Sequence, residues 1–546
     1  MNHVGDEGVF DCMAAAAAST SSGIFFLGAN EHIRYSELVD SAMKKAAALA
    51  SWGIGPGAHV GVLCASDPEG VSAILSVWAA GATLVILPVP NRVASPDALV
   101  EGLRNRARDS DLHLLLIDEA FEILRSALED AISIRSLSQL NVAARSAAAW
   151  QPSRVSPSDT AVLQFTSGST SEPRGVIISQ RNMLANFSAM AAGTDLDVDR
   201  DRLLSWLPLF HDMGLFGFLA YPVTYAIDLV LAEPTAFLAR PGNWMQWLSD
   251  FRATATAGPN FGYSMARRQM PSADTCDLSA ADWLMWGAEP VDAALTRQFA
   301  GEAAGLGLRD SALCAGYGLA EATLSVCLGP RNSGIDTEWV SRASIGAGSK
   351  VAQGVRGQAD ALELVVMPPV LPGLNLWVEA PDGSRLPERV VGEIVVSGAS
   401  VSAGYYKQEQ TPDTRLLPGQ IATGDLGYIS RGRLVPCGRS KDVVIVGGRN
   451  FYPDEIERIA ARVTGVRPGN VAAVGILNEN GTEALVVVAE SRTDDRAATI
   501  RELRERILGA VGLSPHRIYL VEEGALPKTS SGKIRRFEVR SDERWH

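Results

Sequence analysis

The stretch Gln164–Val176, QFTSGSTSEPRGV, decides how the rest of this sequence is read. It begins where an apolar strand-like run, Ala161–Phe165, ends, and it gathers Thr166, Ser167, Ser169, Thr170 and Ser171 around Gly168. Arg174 and Gly175 then precede a second strand-like run, Val176–Ser179. Glycine lets the backbone turn so that several N–H groups face one anion, while hydroxyls add donors and a guanidinium adds charge. The pattern reads as a phosphate cradle. It lacks the Gly-Lys-Ser/Thr ending of a Walker loop and the helix that follows such a loop directly. A plain surface turn has the same composition, so the phosphate reading depends on what the rest of the chain brings to it.

The chain has 546 residues, 47% apolar and 20% charged. That exceeds the roughly 250–300 residues at which single cores stop growing, so two or more domains are expected. The net charge of −13, with no dominant basic tract, argues against nucleic acid and anionic membranes as partners. Cys12, Cys64, Cys276, Cys314, Cys327 and Cys437 lack the short paired spacings of a zinc site. A chain this large needs no disulfide staples, so a reducing, cytoplasmic setting is expected. Acidic Asp6, Glu7 and Asp11 stand where a signal peptide carries cations. The most apolar window, Val71–Pro90, is split by Gly81 and ended by Pro88 and Pro90, which predicts a buried helix and strand and no membrane span.

Alternating helical and strand-like patterns on both sides of the loop predict an α/β fold. The helix Ser36–Ser51, the strands His59–Cys64 and Leu112–Ile117, and the helix Gln180–Met190 carry that alternation. It implies mostly parallel sheets covered on both faces, in a large N-terminal domain of several subdomains. Such sheets bind ligands beyond the carboxyl ends of their strands. Polar clusters fall at those places. In SWLPLFHDMG, Ser205–Gly214, His211 follows an apolar stretch and adjoins Asp212; a core histidine with a satisfied ring is the alternative reading. Gly287, Ala288 and Glu289 close another strand, where small residues leave room and an acid arrives. In AGYGLAEATL, Ala315–Leu324, Tyr317 offers an aromatic plane, and Glu321 is either a magnesium ligand beside a triphosphate or a helix N-terminal acid.

Further on, Asp425 follows a glycine in Gly424–Gly427, as does Arg439 in Gly438–Asp442. An acid so placed commonly takes the hydroxyls of a ribose. From Arg439 onward the pattern is small: strands Val471–Leu477, Ala484–Ala489 and Ile518–Glu522, with helices Pro453–Arg462 and Ala497–Leu508. A second, α+β lid domain over 439–546 is therefore expected after a first domain over 1–438. Near the end, Lys533 follows Ser-Gly in LPKTSSGKIRR, which is either a solvated basic tail or a loop that inserts an ammonium into a site.

Taken in order, TSGSTSEPRG, YGLAEATL, TGDLG, GRSKD and SSGK resemble the adenylate-forming, acyl-activating superfamily over nearly the whole chain. SWLPLFHDMGL, GPNF, WGAEPV and YGLAEATL are similar to its fatty-acyl-AMP ligase branch, and residues 338–364 stand where that branch carries an insertion. The resemblance implies that Thr166, Ser167, Gly168, Ser169, Thr170 and Arg174 hold the phosphates of ATP. It implies that Gly287, Ala288, Glu289 and Tyr317 frame the adenine and acyl carbonyl, that Glu321 holds Mg²⁺, and that Asp425 and Arg439 hold the ribose. Lys533 would serve adenylation, His211 would lie near the adenylate, and Lys441 would be the hinge of the lid. The implied reaction joins a hydrophobic carboxylic acid to AMP and passes the acyl group to a thiol, either the phosphopantetheine of an acyl carrier protein or CoA. Ser171, Gln180, Gly447-Gly448 and Met367–Pro369 depart from the branch pattern. They motivate CoA as acceptor, or an adenylate-using protein that has lost adenylation.

Overall fold

The computed structural model describes residues 7–89, 96–166, 174–358, 360–408, 416–446, 449–477, 482–529 and 532–545. Two open sheets dominate it, as the alternation of patterns predicts. One has eight strands in the order Ser325–Leu328, Leu313–Gly318, Trp283–Trp286, Ala255–Gly258, Arg202–Ser205, Asp228–Leu231, Gly23–Phe26 and Glu31–Arg34. Its inner strands are parallel and each end strand is antiparallel. The other has six, in the order Ile134–Ser136, Leu114–Ile117, His59–Leu63, Thr83–Ile86, Thr160–Thr166 and Arg174–Ser179, parallel except for the last pair.

Strands covered on both faces read as unbroken apolar runs. Leu114–Ile117 and Thr83–Ile86 are buried at every position. The helix Pro68–Ala79 is buried all round apart from its first turn, with Asp67 capping it by accepting from the Gly70 N–H at 2.8 Å. Together with Tyr35–Ser51 and Gln180–Gly193 it joins both sheets into one continuous core. The expected apolar window is thus a helix and a strand in the interior, and among the described residues no helix is long and apolar enough to cross a membrane.

A third layer was not legible in the pattern. Leu374–Glu379, Gly392–Gly398, Gln420–Ser430, Leu416–Leu417 and Arg433–Arg439 form an antiparallel sheet. The segment expected as an insertion supplies a hairpin, Asp336–Ser341 with Ala361–Val366. Val340, Val366, Tyr428 and Val435 pack this hairpin onto the sheet.

Beyond Arg439 lies a smaller unit, the three-stranded sheet Val466–Leu477, Glu483–Ser491 and Arg517–Val521, covered by the helices Pro453–Ala460 and Arg496–Val511. It has its own core, yet Tyr452 packs into the cluster under the hairpin. Beside it, Arg342 of the larger body forms a forked pair with Glu455, with contacts of 2.6 and 3.1 Å. Arg536 ties the small unit together: it pairs with Asp442 at 2.8 Å, with Glu457 at 2.7 Å and with Asp454.

Under the carboxyl ends of the large sheet, Trp286 is fully buried and stacks on Tyr263, with ring centroids 3.9 Å apart and planes 5° from parallel. Trp286→Ala is expected to cost roughly 3–5 kcal/mol. Calorimetric or denaturant unfolding of the larger body is the check; a loss below 1 kcal/mol would mean that the stack carries no weight.

Candidate functional site

Polar side chains collect where the parallel strands of both sheets end. Thr166 closes the strand Thr160–Thr166 and lies opposite Arg174, which opens the return strand. Between them, Ser167, Gly168, Ser169, Thr170 and Ser171 lie outside the described residues. The Arg174 guanidinium stands 5.4 Å from the ring centroid of Tyr405, within cation–π range.

Tyr405 also faces Glu321, donating its hydroxyl hydrogen to Oε1 at 2.7 Å. Glu321 sits in a single 3₁₀ turn, Ala320–Ala322, directly after the strand Leu313–Gly318. It is therefore not an ordinary helix N-terminal acid. Burial raises its carboxyl above the usual glutamate range, against the pull of Tyr405 and of Arg439.

Asp425 and Arg439 are direct cross-strand neighbours of the antiparallel sheet. Arg439 Nε donates to Asp425 Oδ1 at 3.2 Å, and Tyr317 donates its hydroxyl hydrogen to Oδ2 at 2.9 Å. The site thus draws its acid–base pair from the layer that sequence periodicity did not show. Burial, together with the Asp425 charge, pushes the Tyr317 hydroxyl well up and keeps it a neutral donor.

His211 sits in the turn after the strand Arg202–Ser205. Its Nδ1 lies 2.6 Å from Asp212 Oδ1, which also accepts from the Met213 N–H at 2.7 Å. Neither side chain is fully enclosed, with 23% and 19% exposed, so this is no simple core histidine. Burial opposes the Asp212 charge, but His211 and Lys533 together hold its carboxyl below the usual range. Gln164 fixes the turn by donating Nε2 to the Phe210 carbonyl at 3.1 Å.

Gly287 permits the next approach, because a Cβ there would stand 2.9 Å from Met285 Sδ. Ala288 holds a φ of +68°, a strained setting for a residue with a side chain. Its carbonyl accepts from Lys533 Nζ at 2.5 Å. Lys533 therefore reaches across from the small unit into the cleft of the larger one and is not a solvated tail. Burial and the neighbouring Arg439 lower its pKa, while Asp212, Glu289 and Asp425 raise it in part. Burial raises the Glu289 carboxyl despite Lys533 and the N–H groups of Asn260 and Phe261, and its Oε1 has no hydrogen-bond partner.

The structure brings Lys533, Arg439, Asp425, Asp212, Glu289 and Glu321 into one electrostatic neighbourhood. Lys441 stands apart in an exposed turn between Arg433–Arg439 and Val444–Val446. Tyr405 was not foreseen; its only sequence signal is an aromatic pair after Gly404. Gln180 proves structural, since its Oε1 accepts from the Val9 N–H at 2.9 Å and anchors the first helix, Val9–Ala17. Met367 is likewise a core residue, 3% exposed, whose N–H donates to the Leu434 carbonyl. Gly447-Gly448 lies outside the described residues.

A mostly apolar cavity of about 50 Å³ opens behind this cluster, with Met213, Met285 and Leu324 on its near side. Among the described residues there is no group of three His, Cys, Asp or Glu that could hold a metal alone. Any cation here would take one carboxylate, Glu321, and the oxygens of a bound anion, which is the usual arrangement for magnesium.

The description of AMP-binding enzymes matches residues 13–406. The chain is 34% identical over 512 residues to a putative ligase, Rv1013, of Mycobacterium tuberculosis, covering 92% of this chain and 93% of that protein. It is also 34% identical over 412 residues to the long-chain-fatty-acid–AMP ligase FadD28 of the same organism, covering 69% of each. A solved structure from work on fatty acyl-adenylate ligases of E. coli and L. pneumophila superposes with a TM-score of 0.90 at 29% identity. It covers 98% of this chain and 97% of the other.

Removing the Tyr405 hydroxyl tests the electrostatics directly. Glu321 already has a raised folded pKa, so its buried charge costs stability as pH rises above the unfolded value of about 4.3. Tyr405→Phe is expected to raise that pKa further and to cost roughly 1–3 kcal/mol at pH 8. The deficit should shrink as pH falls toward the unfolded value. Thermal melts across pH check this; a deficit independent of pH would mean lost packing alone.

Proposed function

The chain belongs to the AMP-binding enzyme family of adenylate-forming ligases, and we propose that it activates a hydrophobic carboxylic acid and hands the acyl group to a carrier protein's phosphopantetheine thiol. The observation that carries this reading is Lys533 Nζ, seated on the Ala288 carbonyl among Asp212, Glu289 and Asp425. An ammonium on a long stem there would meet the substrate carboxylate and the α-phosphate together.

In the proposed first half-reaction a carboxylate oxygen attacks the α-phosphorus of ATP, and the bond to pyrophosphate breaks. Both reactants are anions, so the protein's task is positioning and neutralising charge. Asp425, held by Tyr317 and Arg439, would accept the ribose hydroxyls. Thr166 and Arg174 would flank the phosphates, with Ser167, Gly168, Ser169 and Thr170 between them. Gly287 and Ala288 would leave room for the nucleotide, and His211, oriented by Asp212, would lie beside the new anhydride. Glu321 is a partly buried carboxylate with a single side-chain donor, which suits a cation held jointly with phosphate oxygens. Mg²⁺ bound there would neutralise charge on the phosphates.

In the second half-reaction the thiol sulfur attacks the acyl carbon and AMP leaves. Lys533 occupies the cleft in the structure described, so residues 439–546 would swing about Lys441 to withdraw it and open a path for the thiol. The name of the relative FadD28, an AMP ligase, supports a carrier protein over CoA as acceptor. Six free thiols and the absence of a membrane-spanning helix among the described residues fit a cytoplasmic enzyme.

Lys533→Ala is expected to lower acyl-AMP formation by roughly 10²–10³-fold. It should leave thioester formation from supplied acyl-AMP largely intact. Mass spectrometry of products from ATP, Mg²⁺ and a panel of acids, with carrier protein or CoA, checks both steps. Acyl-CoA as the sole thioester would make CoA the acceptor. Thioester from supplied acyl-AMP without any adenylation would make this a thioesterification protein only.

The pH dependence follows from the lowered Lys533 pKa. Adenylation needs the ammonium, so its rate should fall with rising pH well before the ordinary lysine value of about 10.4. A rate profile that stays flat to that value would show that Lys533 does not act as a charged group.

A further inference from the structure

The cavity behind the cleft runs back from the carboxyl ends of the large sheet toward its amino ends. Met285 and Leu324 border it near Gly287 and Gly318, whereas Ala255 and Trp283 border it at the first residues of their strands. Three residues of extended strand separate these levels, roughly 10 Å. An acyl chain entering beside Met213 would therefore end among the groups at the amino ends.

That far end is polar in a way the walls are not. Asp201 and Arg331 form a buried, two-pronged ion pair there, 3% and 13% exposed at the side chain. The pair is already satisfied: Asp201 also accepts from Thr254 Oγ1 at 3.1 Å and from the Asp197 N–H at 3.0 Å, and Arg331 donates to the Asp195 carbonyl at 3.1 Å. It offers little net charge to a ligand.

Tyr221 differs. It lines the cavity, is 5% exposed, and its hydroxyl has no hydrogen-bond partner. Thr194 lies beside it without meeting hydrogen-bond geometry. Thr194 Oγ1 spends its hydrogen on the Met190 carbonyl at 2.8 Å, which leaves its oxygen able to accept. An unpaired hydroxyl kept in an apolar pocket is costly unless something pairs with it there. A donor and an acceptor thus face one point at the cavity floor.

Resting on the adenylation reading above, we propose that the acid this chain activates carries a neutral hydroxyl, alcoholic or phenolic, at the end remote from its carboxylate. The Tyr221 hydroxyl donates to that oxygen and Thr194 Oγ1 accepts from it. A second carboxylate is disfavoured, because Asp201 has already neutralised Arg331. A terminal methyl strands the Tyr221 hydroxyl, and sites built to pair a substrate hydroxyl discriminate strongly against analogues that lack it.

The test compares a medium-chain fatty acid with its ω-hydroxy counterpart, and a phenylalkanoic acid with its para-hydroxy counterpart, as substrates of the full-length chain. The hydroxylated member of one pair should have a kcat/KM for acyl-AMP formation at least about tenfold higher. The pair in which the advantage appears identifies the alcohol or the phenol. Tyr221→Phe should cut that advantage about tenfold, through a poorer hydroxylated substrate and a better unsubstituted one. Equal or better use of both unsubstituted acids by the unaltered protein overturns the proposal and leaves the adenylation reading standing. An advantage unchanged in Tyr221→Phe overturns it as well. If no acid is adenylated, the adenylation reading has failed, and calorimetric titration of the same acids decides the pocket: tighter binding of a hydroxylated member supports it, equal binding overturns it.

Discussion

The cleft depends on keeping one ammonium inside a space that strips away its water. Lys533 arrives from the small unit, and burial works against its charge. Asp212, Glu289 and Asp425 offset that cost in part, and each comes from a different strand end of the larger body. Those carboxylates are themselves raised or held down by what surrounds them, so no member of the cluster has its electrostatic character alone. A charge that must be supported from several strands at once requires the strand ends to be fixed to within a hydrogen bond.

The packing below supplies that rigidity. Parallel strands buried on both faces hold their carboxyl ends in one plane, and Trp286, Tyr263 and Phe299 fill the space directly beneath them. The antiparallel layer then adds Asp425 and Arg439 from the side. The Arg342–Glu455 pair and Tyr452 anchor the small unit where Lys533 can reach. These contacts between units are few compared with the core of either. That is what a lid needs if it is to leave and return.

Opposite demands meet in the cavity. Its walls exclude water, which protects a reactive anhydride, while its floor keeps a fully paired ion bridge and one unpaired hydroxyl. Closed ion pairs shape a pocket without attracting charge, so selectivity rests on the neutral donor that remains.

Much of this was legible in the order of residues. Local composition marked Glu321, Asp425, Arg439 and Lys533, because glycine beside a charged residue at a strand end is a one-dimensional signal. Unbroken apolar runs such as Leu114–Ile117 and Thr83–Ile86 declared parallel sheets for the same reason. The antiparallel layer escaped notice, since its strands alternate weakly and pair across long loops. Tyr405 escaped because its partner, Glu321, lies 84 positions away. The sequence by itself determined the family, the α/β class and the types of side chain in the cleft, all written within short windows by spacing and turn chemistry. Only the tertiary structure decided that Gln180 anchors the first helix, that Lys533 enters the cleft, and that the cavity ends on Tyr221. Each of those is a meeting of distant segments, and the pairing of distant segments is settled by packing.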